Sequence, residues 1–316
     1  MFPQAANSPL NNPLTRALAG SNLAFGRLAC DGNHVLEYHA AYGTFIEVNG
    51  SIVDISTALT NNIAGDQLIN ADGEENGFTP SASTLYYAYV SNAAAIDAPS
   101  SLRLSASAPD VATAGLWAGI PYLTAPGPTT SNGQNWRYVG SVYIDASVQV
   151  TDTVTARHVA NYYNRLPRSI YVAPQYSNNN AQTTYAFNSA TFAIVAADAL
   201  ATFVTPIGFN TTDRAEPTLF ANASFVFSAR GAAAGAYGIS VDSTTSPTVA
   251  RSTAALSTAG LAVSIAWTDS LGAEGLHTVR MLGMSGGVAD TIVADLARNG
   301  SASDPAATVL TGWVLS

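Results

Sequence analysis

The chain has 316 residues, of which 47% are hydrophobic and only 10% charged, with a formal net charge of −9. Its single cysteine, Cys30, excludes an intrachain disulfide framework and a cysteine-based zinc site. All 12 basic residues are arginine, clustered in sequence only at Arg165 and Arg168, so neither nucleic acid nor an anionic membrane is an expected partner; no run of 18 apolar residues is present to span a bilayer.

The charged fraction lies far below the roughly 25% of an ordinary soluble domain, and Ala, Ser, Thr and Asn take its place. Small uncharged polar groups cost less to bury than ions do, so such a surface suits packing against protein neighbours. Arginine is enriched at interfaces, whereas lysine is depleted there and is a common blocker of open sheet edges. A lysine-free chain is therefore expected to close its sheet edges or cover them with partners. At 316 residues, two domains are expected.

Residues 1–33 open the chain with Pro3, Pro9 and Pro13 among Asn, Ser and Ala. Prolines at that density disfavour helix and ladder, predicting an extended arm, either a disordered leader or a segment that orders on a neighbour. The stretch has neither the charged n-region nor the apolar h-region of a signal peptide, so synthesis and folding in a cytoplasm are expected. Strand signal begins near residue 35. Tyr42 to Ser56 reads as a hairpin with Asn49-Gly50 as a type I′ turn. Pairing Val48 with Ser51 sets Ile46 opposite Val53 and Thr44 opposite Ile55 on one apolar face, leaving Glu47 and Asp54 on the other.

Further alternating runs place Leu85, Tyr87 and Tyr89 on one face, then Leu102, Leu104 and Ala106. Trp136, Tyr138, Val142 and Ile144 are expected to share a side, as are Leu261, Val263, Ile265 and Trp267. SNAAAIDAPSS and GIPYLTAPGPTTSNGQN read as loops. The segment ALTNNIAGDQLIN is ambiguous, and Val154, His158 and Tyr162 carry a helical spacing that Pro167 would end. The resulting expectation is a mainly β chain. An extended Pro-rich N-terminal arm over 1–33 precedes two β-sandwich or jelly-roll domains, over 34–168 and 169–316.

The sharpest catalytic pattern is Gly283-Met284-Ser285-Gly286-Gly287, a formal G-x-S-x-G. A hydrolase of that kind needs a histidine after the serine, but the four histidines, at 34, 39, 158 and 277, all precede Ser285. His34 and His39 are spaced for neither one helix face nor one strand face, so no metal is expected. The acidic stretch Asp66, Asp72, Glu74 and Glu75 lacks the ligand alternation of a calcium loop. No phosphate loop or dinucleotide fingerprint occurs, and no carboxylate pair stands out for glycoside hydrolysis. Neither catalysis nor a cofactor is expected.

Several phrases together resemble a known module. GRLACDGNH, STLYYAYVSN, LRLSASAPD, NWRYVGSVYID and VTARHVANYYNRLPR follow one another in an order that resembles a module of tailed-bacteriophage virion proteins. HTVRMLGMSGG through TVLTGWVLS resembles the C-terminal strands of trimeric phage fibre and head-decoration jelly rolls. The resemblance spans roughly residues 25–170 and 255–316; the stretch 171–250 matches no phrase of it. It implies a homotrimer in the virion, made in a bacterial host, that contacts the major capsid protein or other virion proteins. The head-decoration or cement role is the first expectation, favoured by the absence of a long repetitive shaft. A tail fibre that recognises a host receptor is the alternative. Candidate assembly contacts are Phe2 and Leu14 in the arm, and Tyr162, Tyr163 and Arg165 in the closing aromatic phrase.

Overall fold

The computed structural model describes residues 24–30, 34–66, 68–74, 79–92, 101–111, 120–124, 132–173, 184–187, 190–195, 199–206, 219–230, 235–253, 261–269, 274–285, 291–295 and 308–315. Among them the chain is mainly β, with one 3-10 turn at Asn132–Asn135 and no α-helix. The helical spacing of Val154, His158 and Tyr162 is overturned: this segment forms the short strands Asp152–Thr153, Ala156–Arg157 and Val159–Asn161. Threonine and valine at 151, 153, 154, 155 and 159 favour extended backbone, and each short strand here finds a strand to pair with.

In the N-terminal half, a three-stranded sheet (Gly26–Cys30, Val35–Ala40, Leu59–Asn62) and the hairpin Phe45–Val48/Ser51–Asp54 lie over a six-stranded sheet centred on Thr84–Ser91 and Trp136–Ile144. Leu28, Leu36, Ile46, Val48, Val90, Leu104 and Val142 fill the core between them. Gly26–Cys30 thus belongs to a sheet, although it falls in the expected arm; its alternation places Leu28 in the core at 1% exposure. The earlier arm residues, including Phe2 and Leu14, lie outside the described residues.

The hairpin register is the one expected, with Val48 opposite Ser51 and Ile46 opposite Val53. The backbone amide of Ile55 donates to the Thr44 carbonyl at 2.8 Å. Asn49 and Gly50 take φ of 47° and 79°, the two left-handed residues of a type I′ turn. Trp136–Ile144 corrects another expectation. A bulge between Tyr138 and Gly140 shifts the pairing against Thr84–Ser91 by one residue. Trp136 and Tyr138 therefore pack with Tyr87 and Tyr89 on the outer face, while Val142 and Ile144 turn into the main core. Pro121–Tyr122, expected in a loop, forms a two-residue strand beside Arg137 and Asp110–Val111.

In the C-terminal half two sheets face one another. One is built on Leu200–Thr205, Gly235–Val241 and Gly275–Ser285; the other on Leu219–Arg230, Leu261–Asp269 and Val309–Leu315. Phe203, Ile239, Val279 and Met281 from the first meet Ala221, Phe225, Ile265 and Leu310 from the second, which makes a sandwich. The chain passes between the halves more than once. Asp152–Thr153 and Ala156–Arg157 join the C-terminal sheet, the latter parallel to Leu200–Thr205. Val159–Asn161 then returns to pair with Trp136–Ile144, and Pro167–Val172 crosses back to pair with Val309–Leu315.

Candidate functional site

The densest polar arrangement gathers around the phrase Asn161-Tyr162-Tyr163-Asn164-Arg165. Asn161 brackets Leu28: its Oδ1 accepts from the Leu28 amide at 2.6 Å, and its Nδ2 donates to the Leu28 carbonyl at 2.9 Å. A side-chain amide presents the same donor and acceptor as a peptide group, so Asn161 completes the edge of Gly26–Cys30 as a ladder partner would. Asn164 Nδ2 donates to the carbonyls of Ala24 and Gly26 at 2.7 and 2.6 Å. Arg165 Nε donates to the carbonyls of Asn161 and Tyr162, and its guanidinium lies 5.6 Å from the Tyr162 ring centroid. The phrase is a clasp holding the first strand onto the body of the fold.

Below the clasp lies a fully buried ion pair. Arg137 and Glu47 are both 0% exposed. Arg137 Nη1 donates to Glu47 Oε2 at 3.0 Å and to its carbonyl at 2.6 Å, while Nε donates to the Tyr163 hydroxyl at 3.0 Å. The same guanidinium sits over the Tyr163 ring, 4.7 Å from its centroid. Glu47 Oε1 accepts from the Gly50 amide inside its own hairpin turn, and Tyr122 donates to Oε2 at 3.4 Å. Glu47 was expected on the solvent face of the hairpin. It is interior because that end of the hairpin is roofed by Tyr122 and Arg137, and a carboxylate enters such a place only when its lone pairs are met.

Desolvation opposes the Arg137 charge, but the oxygens of Tyr163, Tyr122 and Glu47 outweigh it and hold the guanidinium above its usual pKa. Burial pushes the Tyr163 phenol up to about 12 against the pull of Arg137, so it stays neutral. Of the candidate contacts, Tyr163 thus carries its hydroxyl inward. Tyr162 packs edge-on against Tyr138 at 5.3 Å, and Arg165 caps backbone carbonyls. The sequence signal for these roles was the Asn-Tyr-Tyr-Asn-Arg cluster itself; the long-range partners, Leu28 and Glu47, left no trace in it.

A second polar chain runs through the C-terminal half. Asp242 Oδ2 lies 2.7 Å from His277 Nδ1, and His277 Nε2 lies 3.1 Å from Thr205 Oγ1. Asp242, at a left-handed φ of 59°, also accepts from the Thr278 amide at 2.7 Å. The order matches an acid–base–hydroxyl relay. Thr205, however, is 2% exposed and its hydroxyl is enclosed by the sheet, which gives a reacting carbon no approach. The chain therefore acts as a cross-strand tie. Ser285 of the G-x-S-x-G pattern ends the long strand Gly275–Ser285 and is fully buried, whereas an elbow would raise it on a turn.

The remaining singled-out groups lie apart. His34 meets Gln149, and His39 Nδ1 lies 3.0 Å from the Ala40 carbonyl. Asp66 faces Arg103 at 4.0 Å, and Asn70 Oδ1 caps the amides of Asp72 and Glu74. Among the described residues no three metal-ligating side chains converge.

No family model matches the chain, and neither does any curated protein. Among solved structures, the insecticidal delta-endotoxin Cry8Ea1 from Bacillus thuringiensis aligns at 8% identity with a TM-score of 0.28. The alignment covers 92% of this chain and 51% of that one, so the chain spans about half the toxin's length. Similarity at that level says nothing about function.

Proposed function

We propose that this chain is a structural, non-enzymatic protein of a tailed-phage particle that decorates or cements the capsid shell as a homotrimer. The observation that carries this reading is the pairing of a mainly β architecture with a lysine-free chain in which only 10% of residues are charged. Such a surface gives up solubility for contact area. The succession of phrases that resembles virion modules supports it. Because Tyr163 and Arg165 are engaged within the chain, the outward contacts are assigned first to the arm, with Phe2 and Leu14 as its apolar anchors. Several weak contacts from one trimer then add through effective concentration.

Immunogold microscopy of intact particles, with an antibody against this chain, tests the proposal. Gold over the head is the expected result. Gold confined to the tail tip transfers the chain to host adhesion, and particles without label overturn the virion reading. In light-scattering chromatography the purified chain should run at three times its 32.6 kDa monomer mass; a monomer at micromolar concentration overturns self-assembly before attachment.

A further inference from the structure

Three sheet edges in this protein are covered by the chain itself. Gly26–Cys30 has Asn161 and Asn164 along its open side. On the edge of Leu102–Ser105, the Leu102 carbonyl accepts from Asn61 Nδ2 at 3.3 Å and the Leu104 carbonyl from the Ile69 amide at 3.0 Å. On Pro167–Val172, the Tyr171 amide donates to the Val154 carbonyl at 3.0 Å. The Ser169 carbonyl beside it accepts from Arg157 Nε and Nη2 at 3.0 and 2.8 Å. An uncovered edge presents a row of backbone donors and acceptors, and covering it keeps another chain from adding a strand.

Leu261–Asp269 is left open. It pairs with Leu219–Arg230 without a register shift, from Leu219 opposite Asp269 to Phe227 opposite Leu261. Among the described residues nothing hydrogen-bonds to its other side. Ser264, Ala266 and Thr268 on its outer face are exposed, while Ile265 is buried in the sandwich core. Proteins guard such edges with lysines, other charges, prolines or bulges. This strand has no lysine, proline or bulge, and its one charged residue, Asp269, is its last. Val249–Thr253, the edge of the facing sheet, is the contrast: it is only five residues long and carries exposed Arg251 at its centre.

The strand is also its own complement. In antiparallel pairing, residues opposite one another share a face of the sheet. A two-fold axis through Ile265 sets Ser264 against Ala266 and Ala262 against Thr268 on the outer face, and Val263 against Trp267 on the core side. No like charges meet, since Asp269 falls opposite Leu261. We propose that Leu261–Asp269 is a docking edge for a second copy of this chain, which pairs antiparallel through the same strand and joins two sandwiches into one continuous sheet. One pair of strands falls well short of the roughly 1,600 Å² of a standard stable interface. The contact is therefore weak between free chains and strong where copies are held side by side. A two-fold contact differs from the one that closes a trimer, so the pairing does not rest on the trimer reading.

Sedimentation equilibrium of the full chain, from micromolar to near-millimolar concentration, tests it. Wild type should associate beyond its base particle as concentration rises, either monomer to dimer or trimer to joined trimers. Ala266→Lys, which sets two like charges diagonally across the axis, should abolish that association and leave the unfolding midpoint near wild type. A trimer that never associates further overturns the pairing and leaves the trimer standing; a monomer that never associates overturns both. A monomer–dimer equilibrium that Ala266→Lys abolishes upholds the pairing and overturns the trimer. Association equal in wild type and Ala266→Lys overturns the pairing. Disulfide trapping in a Cys30→Ser background is the second readout and does not depend on the lysine variant. Chains with Ser264→Cys mixed with chains with Ala266→Cys should cross-link under mild oxidation far more than either alone, and Ser252→Cys should cross-link with neither. A mixture that cross-links no better than its single components overturns the proposal.

Discussion

Arg137 and Glu47 show how costly one misplaced side chain would be in this protein. Both are buried without residual exposure, and each satisfies the other and its neighbours. Removing one partner leaves an uncompensated charge, so Arg137→Met or Glu47→Leu alone should each destabilise by about 3–5 kcal/mol. The double substitution should recover most of that loss, and urea unfolding of the four proteins measures the difference as a coupling energy. Tyr163→Phe removes only the acceptor of Arg137 Nε, for an expected cost of about 1–3 kcal/mol. Gly140 has a different reason to be fixed: a Cβ there would stand 2.2 Å from the Ala160 carbonyl oxygen. Gly140→Ala should therefore cost about 1–3 kcal/mol by forcing Val159–Asn161 away, readable in the same unfolding experiment.

At the level of elements, the hairpin Phe45–Val48/Ser51–Asp54 is the clearest case of local sequence dictating structure. Asn49-Gly50 sets the turn, period-two alternation sets the register, and both agree with the observed pairing. Gly50→Ala places a Cβ at a φ of 79° and should cost about 1 kcal/mol or slightly more in denaturant unfolding. The strand Trp136–Ile144 illustrates the converse. Its alternation is correct on either side of Gly140 but inverted across it, because the bulge adds one residue that no apolar pattern reveals. The segment 152–161 failed as a helix for a related reason. Three short strands find partners in two different sheets, and no local periodicity encodes partners 17 to 46 residues away.

For the whole molecule, the joint between the halves is where conditions should matter most. His158 Nε2 lies 2.9 Å from Thr202 Oγ1 of the C-terminal sheet, while the ring packs on Tyr143 of the N-terminal one, 5.1 Å between centroids. Desolvation lowers the His158 pKa below its usual 6.5, although Asp145 and Asp152 pull upward. The unfolded chain therefore binds the proton more readily than the folded one. The contribution of His158 is complete above about pH 6.5 and declines as pH falls toward the folded-state pKa, by at most about 1.4 kcal/mol per unit. Unfolding midpoints between pH 7.5 and 5 should fall for the wild type, and His158→Gln should flatten that part of the profile.

The sequence by itself determined the mainly β class, the hairpin and its register, and the apolar faces of Leu102–Leu104 and of Ile265 with Trp267, since period-two alternation and turn chemistry act over a few residues. It also marked Asn161 to Arg165 as a cluster of note. Only the tertiary structure decided what that cluster holds, that Glu47 is interior, that the chain crosses between its halves three times between residues 150 and 170, and that Arg157 and Arg168 share Asp152. These are contacts between residues as many as 148 positions apart, and a charge's burial is set by what is laid over it rather than by its neighbours in the chain.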